Sequence, residues 1–222
     1  MEMRSAFHSK LKEIQDDILV MGSMAGKAIL RSIESLKNRD VELAQRVIDD
    51  DQIINTRRFL VEEKCIELIA TQQPMAGDLR IIIAIINILT EIERIGDYAV
   101  GVARIPIMIG DEPLLKPLID IPRMGEKAVD MLRRCLNAFI NRDMDEARII
   151  SGEDDYIDQL YDQVFRELIS FMIEDPKTIT RATRLIWAAH NIERAADRVT
   201  NICERVVFIS TGKMEEIGDS KY

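Results

Sequence analysis

The chain has 222 residues, 47% of them hydrophobic and 31% charged, with only 10 Gly and 6 Pro. Such a composition describes a globular protein with few turns and long elements, and a length sufficient for one large core or two of roughly a hundred residues each. A net charge of −9 and a pI near 4.9 set repulsion rather than counterion release against a phosphodiester backbone, which argues against nucleic acid as a partner.

Residues 1–18 lack the continuous apolar stretch of a secretory signal, and helical periodicity begins at about Ser5. The first helix runs to Asn38, where Asn38-Arg39-Asp40 interrupts it: Asn can take the left-handed conformation that closes one helix, and Asp can cap the next. A second helix, Val41 to Thr71, stops at Gln73-Pro74, because Pro disfavours helix just before itself and suits a first turn. The third is expected over Met75 to Arg104. Its stretch from Ile81 to Ile88 is β-branched and has strand propensity. The equivalent stretch in the second half, Arg184 to Asn191, is rich in Ala and unbroken, so both are read as helix, the central element of a bundle. Pro106, Gly110, Pro113 and Pro117 then mark a linker.

After the linker the pattern returns as helices over Ile119 to Asn141, Met144 to Glu174 and Pro176 to Ser210, with Glu174-Asp175-Pro176 in the place of Gln73-Pro74. Gly212 ends the last helix, and the polar residues beyond it are expected to fray. The halves are copies of one another. A shift of 103 residues lays Met21, Gly22, Ala25, Arg31 and Asn38-Arg39-Asp40 onto Met124, Gly125, Ala128, Arg134 and Asn141-Arg142-Asp143, and carries Asp51, Ile54 and Asn55 onto Asp154, Ile157 and Asp158. A shift of 100 lays Ile92-Glu93-Arg94 and Asp97 onto Ile192-Glu193-Arg194 and Asp197. The fold class predicted is all-α: two tandem, structurally similar three-helix bundles, residues 1–110 and 111–222, with six long helices and no sheet.

No segment reaches the roughly 18 apolar residues that a membrane span needs, and the run from Ile81 to Leu89 contains Asn87. Cys65, Cys135 and Cys203 are odd in number, far apart in sequence and without CxxC spacing, the usage of a reducing compartment rather than of a disulfide framework. A soluble, cytoplasmic protein is expected.

Acidic residues carry the chemistry. Glu93 and Asp97 stand four apart, on one helix face about 6 Å from each other, and Asp51 and Asn55 do the same on the preceding helix. The two helices are antiparallel about the turn at Gln73, so residues equally far from it face each other: Asn55 meets Glu93 and Asp51 meets Asp97. Around Asp175 the same arithmetic brings Asp158 to Glu193 and Asp154 to Asp197. Carboxylates converging in this way repel unless cations or protons neutralise them, and hard oxygen ligands favour Mg²⁺, Mn²⁺ or iron over Cu⁺, with room for more than one ion. Asn201 and Glu204 extend the second stripe where the first half has Gly101 and Arg104, so the second site is expected to be richer in ligands. Gly96, Ala195 and Ala196 are small enough to let a neighbouring helix come close. The competing reading pairs the acids with Arg57, Arg94, Arg194 or Arg198 as surface ion networks; duplication at matched levels favours metal. His190, three residues before Glu193, reads as incidental, and His8 has no such neighbour.

The segments Gln73-Pro74-x-Ala76-x-Asp78-Leu79-Arg80, Glu93-Arg94-Ile95-Gly96-Asp97 and Asn191-Ile192-Glu193-Arg194-x-x-Asp197, followed by Asn201-Ile202-Cys203-Glu204, resemble those of the PhoU family of phosphate-transport accessory proteins. The resemblance covers the chain from about Phe7 to Gly212 and includes the duplication. It implies two three-helix bundles and multinuclear metal clusters, with iron or another divalent cation (Mn, Mg or Zn) on Glu93 with Asp97 and Glu193 with Asp197, supported by Asp51, Asp154 and Asp158. Asn55 departs from the pattern by replacing an acid. The resemblance further implies a negative regulator of phosphate uptake and of the phosphate-starvation response, in contact with the ATPase subunit of the phosphate ABC transporter and with the phosphate sensor histidine kinase; a homodimer is left open. An oxygen-activating di-iron enzyme would need Glu-x-x-His pairs, and the chain has none. A phosphatase with two metals finds no Gly-rich phosphate loop and no nucleophile motif. A metal-independent helical adaptor, its acids a docking surface for a basic partner, is the remaining alternative.

Overall fold

Each half begins with a long helix that ends at its Asn-Arg-Asp break: α1 (Glu2–Asn38) and α4 (Asp120–Asn141) in a computed structural model, which describes residues 2–215 and 217. In both breaks the left-handed residue is the Arg, at φ 54° for Arg39 and 56° for Arg142, while the Asn closes the helix as its last residue. The two Asp residues cap the helices after the breaks. Asp40 Oδ1 accepts from Leu43 N at 2.8 Å and Asp143 Oδ1 from Glu146 N at 3.0 Å, contacts that stabilise a helix by about 1 kcal/mol each.

α2 (Val41–Gln72) ends at Gln73 in the left-handed conformation, φ 46°, and α3 (Gly77–Ile109) comes next. α3 continues past Arg104, and Pro106 lies inside it rather than in the linker. A proline so near the end of a helix sacrifices one intrahelical bond and leaves little downstream to disrupt. The second half departs twice from the expected pattern. Its middle helix is divided into α5 (Met144–Gly152) and α6 (Asp154–Glu174) at Glu153. Gly152 weakens the helix there by about 1 kcal/mol relative to Ala. Glu153 meanwhile accepts from Lys127 Nζ at 2.6 Å and Arg134 at 2.7 Å, both on α4. Pro176 opens a 3₁₀ turn (Pro176–Thr178) and α7 (Ile179–Thr211) succeeds it, closed by Gly212 at φ 76°. Lys213 to Glu215 are not helical; the remaining fraying expected beyond Gly212 falls chiefly on 216 and 218–222, outside the described residues. Among the described residues there is no strand, and no helix is long and apolar enough to cross a membrane.

α1, α2 and α3 pack as one bundle and α4, α5–α6 and α7 as another, while α3 lies along α7 and α1 along α4. The apolar residues of α3 recur on every side because it is covered from three directions. Ile82, Ile85, Ile88, Leu89 and Ile92 have no exposed surface, within one core continuous through both bundles. This is why its β-branched run is helical: burial by helices on three sides, with only Ile83 and Asn87 of the run exposed, overrides strand propensity.

The seam between the bundles repeats its own contacts. A Cβ at Gly22 would overlap Leu136 Cδ1, and a Cβ at Gly125 would overlap Ile33 Cδ1. Gly22 corresponds to Gly125 and Ile33 to Leu136 under the 103-residue shift, so one contact is made twice with the roles of the halves exchanged, as a pseudo-two-fold axis requires. Across α3 and α7 the same exchange relates Gly101, packed against the Asn191 amide, to Asn201, whose Nδ2 donates to Glu91 Oε2 at 3.2 Å. Gly22→Val and Gly125→Val are each expected to destabilise the protein by about 1–3 kcal/mol through overpacking, and by similar amounts. The shift of the urea midpoint for each variant checks this, and an unchanged midpoint for either would contradict the reciprocal contact.

Candidate metal centre

Asp51 and Asn55 on α2 and Glu93 and Asp97 on α3 form the first acidic cluster. Asn55 Nδ2 donates to Asp51 Oδ2 at 2.9 Å, while the other oxygens, Asp51 Oδ1 and Asn55 Oδ1, are buried without a hydrogen-bond partner. Helix α2 comes this close because residue 96 is Gly: a Cβ there would lie 2.9 Å from Asp51 Oδ1. Burial raises the pKa of Asp51, and Asp97 raises it further. Burial and Asp97 also raise that of Glu93, with Arg58 opposing and Asp51 adding. The pairing of Asp51 with Asp97 is the one that equal distance from the Gln73 turn requires.

The second cluster joins Asp154 and Asp158 on α6 to Glu193 and Asp197 on α7. Glu193 is 8% exposed, and its pKa is pushed up to about 7, first by burial, then by Asp197 and Asp158, with Arg194 opposing and Asp154 adding. Burial raises the pKa of Asp197 too, against Arg194, Arg198 and His190. The break at Glu153 delivers Asp154 as the first residue of α6, and Ala196 stands in the second half where the first has Gly96.

Two of the expected ligands face elsewhere as well. Asn201 donates to Glu91 in the seam, and Glu204 Oε2 lies 3.4 Å from Arg205. Neighbours that sequence spacing passed over include Glu91, whose Oε2 is 3.5 Å from Arg198 Nη1, and Arg58, which faces Glu93. His190 stands at the edge of the second cluster, with Nδ1 3.2 Å from Glu193 Oε2 and its ring against Tyr161. Burial, then Arg194, lower its pKa, which favours the neutral imidazole. The signal for it was its place three residues before Glu193. Among the arginines of the ion-network reading, Arg194 reaches Asp197 at 3.7 Å, whereas Arg57 pairs with Asp17 at 3.6 Å.

Among the described residues, no three His, Cys, Asp or Glu side chains stand as a ready-made cage for one ion. The clusters are patches of oxygen donors in which Asp51, Glu93, Glu193 and Asp197 have raised pKa values, and in the first of them two buried oxygens have no donor. These features fit a hard cation: positive charge brought beside them would remove the repulsion and the desolvation cost together.

The PhoU domain model matches this chain twice, at residues 18–105 and 121–206. The chain is 36% identical over 217 residues to the Phosphate-specific transport system accessory protein PhoU homolog of Clostridium acetobutylicum, covering 97% of this chain and 99% of that one. It is 34% identical to PhoU of Escherichia coli over 207 residues, 93% of this chain and 86% of that one. The crystal structure of PhoU from Pseudomonas aeruginosa superposes with a TM-score of 0.88 at 33% identity, covering 93% of this chain and 100% of that one.

Raised carboxyl pKa values make a prediction for the metal-free protein. The native state of Glu193 holds its proton to about pH 7, whereas the unfolded chain releases it near 4.5. Between those values the native state binds more protons, so its extra stability is present below about pH 4.5 and is lost as pH rises through 7. Metal-free protein is therefore expected to lose on the order of 2 kcal/mol from this group between about pH 4.5 and 7.5. Glu193→Gln should flatten that slope. Urea unfolding in chelator across this range measures it, and equal slopes for the two proteins would refute the burial of a repelled carboxylate.

Proposed function

The chain belongs to the PhoU family, and from that premise we propose that it is a metal-binding accessory regulator of phosphate transport that restrains phosphate uptake and represses the phosphate-starvation response. It does so by binding rather than by catalysis, in the cytoplasm. Its partners are the ATPase subunit of the phosphate ABC transporter and the phosphate sensor histidine kinase. The names of the relatives, accessory proteins of phosphate-specific transport, support the role, and the resemblance of the acidic motifs supports the partners.

The observation that carries the metal part of the reading is the duplicated acidic cluster, partly buried between helices in each of the two bundles. Asp51, Glu93 and Asp97 with Asn55 would hold cations in the first, and Asp154, Asp158, Glu193 and Asp197 in the second, with Asn201 and Glu204 at its end. Iron is the first candidate and Mn, Mg or Zn the others, with more than one ion to a cluster. When bound, such ions supply the positive charge that the carboxylates lack. The residues of this chain position the acids: Gly96 admits Asp51, the turn at Gln73 sets the register, and Arg58, Arg194 and Arg198 temper the field. No Glu-x-x-His pair and no nucleophile motif stands beside the acids.

Replacing Glu193 and Asp197 together with Ala is expected to abolish metal in the second bundle, and the same change at Glu93 and Asp97 to remove less, given Asn55. Wild-type protein should gain about 2.7 kcal/mol of stability at a metal concentration of about 100 times the dissociation constant, a gain that the second-bundle variant loses for its own site. Elemental analysis and metal titrations of thermal unfolding read both. Equal metal content in wild type and in the variant lacking all four acids would rule metal binding out. Deletion of the gene is expected to derepress phosphate uptake, and unchanged uptake and starvation-gene expression would rule out the regulatory role.

A further inference from the structure

Cys135 on α4 and Cys203 on α7 are separated by 68 residues in sequence, yet their sulfur atoms lie 3.2 Å apart in the core of the second bundle. Neither side chain has exposed surface, and Cys135 Sγ also lies 3.8 Å from the carbonyl of Val199. We propose that Cys135 and Cys203 form a covalent modification site, a dithiol that a two-electron oxidant of the peroxide class converts to an intramolecular disulfide joining α4 to α7. One thiol, as its thiolate, attacks the O–O bond of the peroxide and becomes a sulfenic acid, releasing water; the second displaces a further water from that sulfur as the S–S bond forms. The two cysteines together lose two electrons and two protons, and the peroxide gains them.

Three observations support the assignment. The sulfurs need to approach by little more than about 1 Å to reach the bond length of about 2.0 Å. The pair is not a by-product of the duplication: its counterparts are Ser32, whose Oγ donates to Ile29 O at 2.7 Å, and Ala103, so the fold packs this level without thiols. Finally, Cys65 is equally buried but lies on α2 of the first bundle, which makes it an internal control. Burial and the neighbouring Cys203 raise the pKa of Cys135, and neither sulfur is exposed, so oxidation proceeds through local opening of the bundle. Once formed, the bond closes a long loop and limits the unfolded chain, which raises the thermal midpoint by several degrees.

The test treats the reduced full-length protein with hydrogen peroxide under native conditions, then unfolds and alkylates it for intact-mass and peptide analysis. Free thiols are expected to fall from three to one, with a linked peptide pair containing Cys135 and Cys203, Cys65 alkylated, and all three thiols regained with dithiothreitol. Cys135→Ser and Cys203→Ala, the residues that the first half carries at these positions, should each abolish the cross-link and the rise in thermal midpoint. Three free thiols after prolonged treatment, oxidation to sulfinic or sulfonic acid without a cross-link, or a disulfide involving Cys65 would each overturn the proposal.

Discussion

The mutual burial of α3 and α7 is the constraint on which the rest of the structure depends. Each is the last helix of its bundle, each is covered by the other two helices of that bundle, and each lies along its counterpart across the seam. A helix enclosed in this way keeps only a narrow exposed stripe, which through the middle of α3 is Ile83, Asn87, Arg94, Asp97 and Arg104. Glu93, Glu193 and Asp197 are therefore held partly buried between helices, and their pKa values rise because water is scarce and, at the two glutamates, because like charges are near. The core on either side supplies the free energy that keeps those charges together. Without that packing, carboxylates four residues apart would repel only weakly on a solvated surface.

The pseudo-two-fold seam makes the two clusters neighbours with different surroundings. The contact that is Gly101 against Asn191 on one side of the axis is Asn201 to Glu91 on the other, and the position of Tyr98 in the first half is Arg198 in the second. Arg198 lies between Asp197 and Glu91, so the field at the second cluster is tied to a side chain of the first bundle. Asn55 in turn lowers the charge of the first cluster and ties up one oxygen of Asp51 through its amide. Duplication thus kept the height of the acids while their counter-charges diverged.

The division of the middle helix of the second half belongs to the same divergence. α2 passes Gly96 as a continuous rod, but α5 and α6 meet at Glu153, where Arg134 and Lys127 gather its carboxylate. The pair Arg134 and Glu153 repeats Arg31 and Asp50 of the first half, which are 2.6 Å apart. Lys127 is an addition, in the place of Met24. The Glu153 carboxyl pKa is lowered overall, the two cations outweighing its desolvation, so the network favours its charged form beside the break.

Much of this was legible in the residues themselves. The Asn-Arg-Asp breaks, the caps of Asp40 and Asp143, the Gln73 turn and the closing Gly212 are determined by local backbone chemistry, and local chemistry is written in adjacent letters. The approach of Asp51 to Asp97 and of Asp158 to Glu193 was legible too, because antiparallel helices joined by a short turn preserve distance from that turn. Other features were decided by contacts between distant segments. Arg39 rather than Asn38 took the left-handed conformation, Pro106 stayed within α3, and the helix broke at Glu153 under the pull of residues on α4. Asn201 turned its amide to Glu91 although it stands one turn from Asp197. Cys135 and Cys203, unremarkable 68 residues apart, became neighbours. Spacing along one helix determines which residues share a face, but what that face meets is determined only when a second helix is laid against it, because the competing contacts belong to parts of the chain whose distance in sequence carries no record of their distance in space.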